Sequence, residues 1–213
     1  MKIIPYCAIF GGYDTLLDAT YPSTCITDLP QRHVKGWQFQ IMSYLVPPKI
    51  RSFYCKTHPH IVVPQADVTI WIDGNVQLRV DPRYLVDKFL VNHDIALYQH
   101  PVRDCIYLEG AACVRLRKAR FDVVETTLKW LRAQGYPEHN GLAETSFIIR
   151  RDTLQIRELN ELWWQTFLSQ PAKRDQLSFN YACWKLGISY REISGYTSSS
   201  YIRWKRHQRS RPR

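Results

Sequence analysis

Apolar positions fall in short continuous runs over the first half of the chain and in stripes of helical period over the second. Ile3 to Phe10 is almost wholly apolar and ends at Gly11-Gly12-Tyr13-Asp14, which predicts a buried strand running into a turn. Thr24 to Asp28 predicts a second short strand ending in a carboxylate, and the alternation from Trp37 to Met42 a third. Pro48 to Thr57 reads as a short helix opened by proline. Asp67 to Asp73 is the clearest strand, an apolar interior bounded by two acids. Beyond it, Pro82 to Val91 reads as helix and Ile95 to Gln99 as strand.

Helical patterns fill Cys105 to Lys118 and Phe121 to Gln134, where Gly135 supplies a C-terminal stop. Thr145 to Arg150 is a further strand. Leu159, Leu162, Trp163 and Phe167 share one face of a helix over about residues 153–169. Leu177, Tyr181 and Trp184 form the inner stripe of a last helix, Asp175 to Leu186, closed by Gly187. Strands alternating with short helices, then a helix-rich half, predict an α/β sheet covered by helices. Ligands then sit at the carboxyl ends of its strands.

The 213 residues suit one domain, and 45% apolar with 23% charged residues is a globular composition. No apolar run approaches a membrane span, and Met1-Lys2-Ile3-Ile4-Pro5 has no leader pattern. A cytoplasmic protein is therefore expected, with Cys7, Cys25, Cys55, Cys105, Cys113 and Cys183 as reduced thiols. The net charge of +10 suggests nucleic acid until it is located. Six cations and no acid lie between Arg203 and Arg213, and without them the net charge is +4. Residues 1–202 are read as the domain and 203–213 as a flexible basic tail, with peripheral contact to an anionic membrane as its sharper use. Nucleic-acid binding through that tail is the alternative function, and the less favoured one.

The chemistry concentrates at strand ends. Trp71-Ile72-Asp73-Gly74-Asn75 delivers a carboxylate to the exposed end of an apolar strand, followed by a glycine turn and an amide. Such a site holds a divalent cation with few protein oxygens and leaves it free to bridge phosphates. Asp73 is the candidate ligand, with Asn75 a neutral oxygen beside it. Gly11 and Gly12 let backbone approach a nucleotide after Phe10, and Tyr13 is placed to stack on it. Asp28 suits a ribose hydroxyl or a base edge, or else a turn cap. Lys56 suits phosphate, whereas His58 and His60 read as capping or packing residues. Arg103, in His100-Pro101-Val102-Arg103, suits a diphosphate leaving group or a pair with Glu109. Glu144 and Thr145 open a strand where an acceptor would sit. Asp175 reads as a helix cap, a general base, or a stabiliser of positive charge at a reacting carbon.

Taken in order, Ile9 to Asp14, Thr27-Asp28, Lys56 to His60, Trp71 to Asn75, His100 to Arg103, Glu109, Glu144 to Arg150 and Arg174 to Phe179 resemble the TOD1/MUCI70-like glycosyltransferase domain. The likeness runs nearly to residue 190. It implies a GT-A fold similar to glycogenin-like transferases, a mixed central sheet flanked by helices. It also implies a nucleotide-sugar donor, uridine favoured, a glycan or other hydroxyl acceptor, and a divalent metal, Mn²⁺ or Mg²⁺. By position, Asp73 resembles the acid of a degenerate DxD motif, and Phe10 to Tyr13, with Asp28, Lys56, His60 and Arg103, the donor site. Asp175 and Gln176 resemble the pair facing the anomeric carbon, with Glu144 beside them. Asn75 stands where the second acid of the motif belongs, which leaves His100 open as a further metal ligand.

Overall fold

The computed structural model describes residues 1–208 apart from 32 and 44. Nine strands are described: β1 Ile3–Ile9, β2 Ser23–Thr27, β3 Trp37–Ile41, β4 Val68–Ile72, β5 Val76–Leu78, β6 Ile95–Gln99, β7 Ala143–Arg151, β8 Arg191–Ile193 and β9 Ile202–Trp204. The helices are α1 Pro48–Thr57, α2 Pro59–Val62, α3 Pro82–Phe89, α4 Ile106–Arg115, α5 Phe121–Ala133, α6 Leu154–Ser169 and α7 Phe179–Leu186. Seven strands form one mixed sheet in the order β3-β2-β1-β4-β7-β6-β8, and β5 and β9 pair as a separate ribbon.

Strands β1 to β4 run parallel, and β7 enters antiparallel between β4 and β6. That reversal brings the start of β7 to the edge where β1, β2, β4 and β6 end. The sheet is apolar on both faces because helices cover both, so β4 is buried at all five positions. Alternation still sorts the side chains of β1: Ile4, Tyr6 and Ala8 meet α1 and α6, while Cys7 and Ile9 join the opposite core with α3. A third cluster lies between α4, α5 and Tyr181 of α7. This is the mixed α/β sheet with helical cover that the sequence predicts. All six cysteines are buried free thiols. No helix among the described residues is long and apolar enough to cross a membrane.

Two predicted boundaries move. The stretch from Asp175 is a 3-10 turn, Asp175–Leu177, followed by α7, so Asp175 is not the cap of a continuous helix. Arg203 and Trp204 extend along β5 as the second half of β9, so the body continues past residue 202. The remainder of the expected tail, residues 209–213, lies outside the described residues.

The sheet is tied to α1 by a buried cation. Arg150 of β7 is 1% exposed, and its guanidinium donates to Asn160 Oδ1 at 2.9 Å, to the Tyr6 hydroxyl and to the Lys56 carbonyl. Tyr6 in turn donates to the Cys55 carbonyl at 3.1 Å, and burial pushes its phenol up to about 12, so it stays neutral. The last carbonyls of α1, which have no partner within their own helix, thereby find donors in the core. Replacing Arg150 by Met strands Asn160 Oδ1 and leaves the Lys56 carbonyl only a long 3.4 Å contact with the Tyr6 hydroxyl, and each such buried group costs about 1–3 kcal/mol. Arg150→Met is therefore expected to lower stability by about 2–4 kcal/mol, read in urea as a lower midpoint with unchanged slope. A midpoint equal to that of the wild type contradicts this account.

Candidate active site

Asp73 follows β4 directly, and its backbone N–H donates to Ser146 of β7 at 2.9 Å. Its Oδ1 accepts the Trp71 indole N–H at 2.8 Å and lies 3.7 Å from the Lys56 ammonium. A Cβ at Gly74 would stand 2.6 Å from Ile9 Cδ1, so a larger residue there displaces that buried side chain. Lys56 comes from the last turn of α1, is 4% exposed, and donates to Asp175 Oδ2 at 2.7 Å and to Thr145 Oγ1 at 3.3 Å. Thr145 donates its own hydroxyl hydrogen bond to the same Asp175 oxygen at 2.8 Å, and Trp163 of α6 donates to the Asp175 carbonyl at 3.1 Å. The carboxylate of Asp175 is thus spent on the site and not on capping.

These charges shape one another. Burial disfavours the Lys56 ammonium, yet Asp175 and Asp73 outweigh it and hold its pKa above the usual lysine value. Burial likewise opposes the charge on Asp175, but Lys56, Arg174 and the Thr145 hydrogen bond hold its carboxyl well below the ordinary range. Glu144 behaves oppositely: burial, then Asp73 and Asp175, push its carboxyl up. Its Oε2 accepts from Gln176 Nε2 at 3.1 Å, so these two predicted partners do meet.

The cluster opens into a cleft of about 470 Å³. Phe10, Tyr13, Lys56, Asp73 and Asp175, all predicted, line it. So do Asp14, Lys49, Lys118, Lys173, Arg174 and His207, which were not assigned to the site from sequence. Lys49 had a readable signal, because it lies seven residues before Lys56 on the same helix face. Lys173 and Arg174 adjoin Asp175. Lys118 and His207 come from distant segments, and nothing local marks them.

Gly11 and Gly12 both adopt left-handed backbone, at φ 61° and 63°, which favours glycine. The Gly11 N–H donates to Asp28 Oδ1 at 2.9 Å, and Asp28 also pairs with Arg51 at 3.1 Å. Asp28 therefore shapes the loop, and its oxygens are already engaged. Asp14, 2% exposed, binds His207 Nδ1 at 2.6 Å and the Gln208 N–H at 3.1 Å. The segment after β9 thus folds over the glycine loop.

Other predicted residues lie elsewhere. Arg103 donates to the buried Glu109 at 2.6 Å, and His100 accepts the Val102 and Arg103 N–H groups on Nδ1. They form a cluster outside the cleft lining. His60 sits in α2, its ring 5.8 Å from that of His58, also away from the cleft. Asn75 donates to the Lys205 carbonyl at 2.8 Å and accepts the Lys205 N–H on its own carbonyl at 3.0 Å, which fixes the segment after β9.

The residues present therefore do not fit the metal set Asp73, Asn75 and His100. The Asn75 amide is turned to backbone, and His100 is engaged by Arg103. Among the described residues no group of three or more His, Cys, Asp or Glu side chains is placed to hold a metal ion.

Comparison with known proteins agrees with the resemblance in the sequence. The chain matches the TOD1/MUCI70, glycosyltransferase-like domain family over residues 49–197. It is 26% identical over 130 residues to the probable hexosyltransferase MUCI70 of Arabidopsis thaliana, covering 57% of this chain and 22% of that protein's length. The crystal structure of mouse xyloside xylosyltransferase 1, apo form, aligns at 11% identity over 88% of this chain and 82% of that one, with a TM-score of 0.47. With its family match extending over most of the chain, the protein belongs to the TOD1/MUCI70 glycosyltransferase-like domain family.

Proposed function

We propose that the chain transfers a sugar from a nucleotide-sugar donor, uridine favoured, to a hydroxyl of a glycan or other acceptor. The observation that carries this reading is the Lys56 cluster. It sets Asp73 and Asp175 about one ammonium at the carboxyl edge of the sheet, within a cleft that also holds Tyr13 and several cations. Open α/β sheets bind ligands at that edge. Tyr13 follows the left-handed glycines and is 56% exposed, its ring tilted against that of His207 at 5.5 Å, and it is the side chain that would stack on a base. The cations suit a diphosphate that departs with extra charge.

In the reaction, the bond from the anomeric carbon to the diphosphate breaks and the acceptor oxygen bonds to that carbon. The acceptor proton passes to a carboxylate. Asp175 is ionised at any working pH, and a carboxyl so acidic is a poor proton acceptor. It fits the other role, stabilising positive charge at the anomeric carbon. Glu144, pushed up, is the better-matched base, and Gln176 orients it.

Asp175→Asn keeps the shape and the hydrogen bond from Lys56 but removes the charge. Turnover, followed as transfer or as slow donor hydrolysis, is expected to fall about 10²- to 10³-fold. Affinity for UDP, measured by calorimetry, should change far less. Equal turnover in this variant would remove Asp175 from the mechanism.

The raised carboxyl of Glu144 takes up its proton at a higher pH than an ordinary glutamate, near 4.3. A step that needs its carboxylate therefore slows as pH falls, with a midpoint above that value. Glu144→Gln should lower the rate and flatten this acid limb of the pH profile. A limb that persists unchanged assigns the base elsewhere.

A further inference from the structure

This inference rests on the nucleotide-sugar reading and concerns how the donor's diphosphate is neutralised. Lys56 Nζ stands 2.7 Å from Asp175 Oδ2 and 3.7 Å from Asp73 Oδ1, in the gap between the two carboxylates. A hard cation bridging Asp73 Oδ1 and Asp175 Oδ2 at roughly 2.0–2.6 Å from each would contend with that ammonium for the same place. The same oxygen already accepts the Trp71 N–H, and Asn75 is turned to Lys205. Meanwhile Lys49, Lys118, Lys173 and Arg174 join Lys56 in the cleft, so its cations outnumber Asp14, Asp73 and Asp175. Lys173 is occupied with the carbonyls that end α6. Arg174 has its Nε buried with no hydrogen-bond partner, a donor without an acceptor at the cleft wall. A divalent ion would add to a positive surplus that lacks only an anion.

We propose that side chains of this chain take the place of the divalent metal. Lys56 occupies the cation position between Asp73 and Asp175, and Lys49, Lys118 and Arg174 bind the diphosphate. The leaving diphosphate is then stabilised by fixed ammonium and guanidinium groups, and donor binding is independent of divalent ions. Arg174 gives the bidentate contact and the lysines act as point charges.

The test is calorimetric titration of the full chain with UDP and with GDP, in EDTA and again in Mn²⁺ or Mg²⁺. A diphosphate nucleotide is expected to bind in EDTA, with affinity within about threefold of that in metal. Binding should weaken as salt rises. Lys49→Gln and Lys118→Gln, both at exposed positions that do not threaten folding, should each weaken it about tenfold in EDTA. Binding that vanishes in EDTA and returns with Mn²⁺ overturns this inference and leaves the donor reading intact. Undiminished binding by both lysine variants overturns the assignment of the diphosphate to these residues. Silence of both nucleotides in every condition overturns the donor reading along with it.

Discussion

The ammonium of Lys56 enters the carboxyl edge of the sheet from the end of α1, and its charge lets Asp73 and Asp175 face the same small volume. Two carboxylates so placed would repel one another, and burial would push Asp175 toward its neutral acid. With Lys56 between them, Asp175 stays ionised and Asp73 keeps its geometry against Trp71. Glu144 carries the raised carboxyl, through its own burial first and then the repulsion of Asp73 and Asp175. Asp175 and Glu144 thus differ in opposite directions from an ordinary carboxyl within a single edge of the sheet.

Lys56 holds that position because the backbone it departs from is fixed. The Arg150 guanidinium and the Tyr6 hydroxyl bind the last carbonyls of α1, and both groups come from central strands of the sheet. A buried charge of this kind is costly unless its donors are satisfied, and here neutral oxygens satisfy them. The helix end, the core and the site therefore form one continuous polar path. The aromatic residues around it, Trp71 and Trp163, both lie within cation–π reach of Lys56 and exclude water from its stem.

Much of this was legible because it is local. The strands ending at Gly11 and Asp73, the proline-opened α1 and the αL glycines at 135 and 187 follow from patterns within a few residues. Asp73, Lys56, Tyr13 and Asp175 were readable as candidates from their places at or just beyond the ends of elements, and all four line one cleft. For the other candidates the sequence is less informative, because a polar side chain does not announce its partner. Asp28 looked free for a ligand, yet Arg51 and the Gly11 N–H occupy it. Asn75 looked like the second metal oxygen, yet its amide holds a backbone 130 positions away. The Arg103–Glu109 pair would be weak on a surface, but Glu109 is buried, which makes it a structural anchor.

The basic C-terminal stretch shows how charge composition misleads when geometry is unknown. Read by sign alone, Arg203 to Arg213 is a self-repelling segment that solvent should hold apart. What the first part of it meets is one carboxylate and two neutral side chains. Asp14 takes His207 and the Gln208 N–H, and Thr15 takes Lys205 Nζ at 3.0 Å, while Asn75 takes the Lys205 backbone on both sides. Pairing of β9 with β5 aims the segment there, since β5 begins immediately after the Asp73 turn. The loop after β1 and the turn after β4 are therefore bound to one stretch of backbone. A displacement of that stretch moves Tyr13 and Asp73 together.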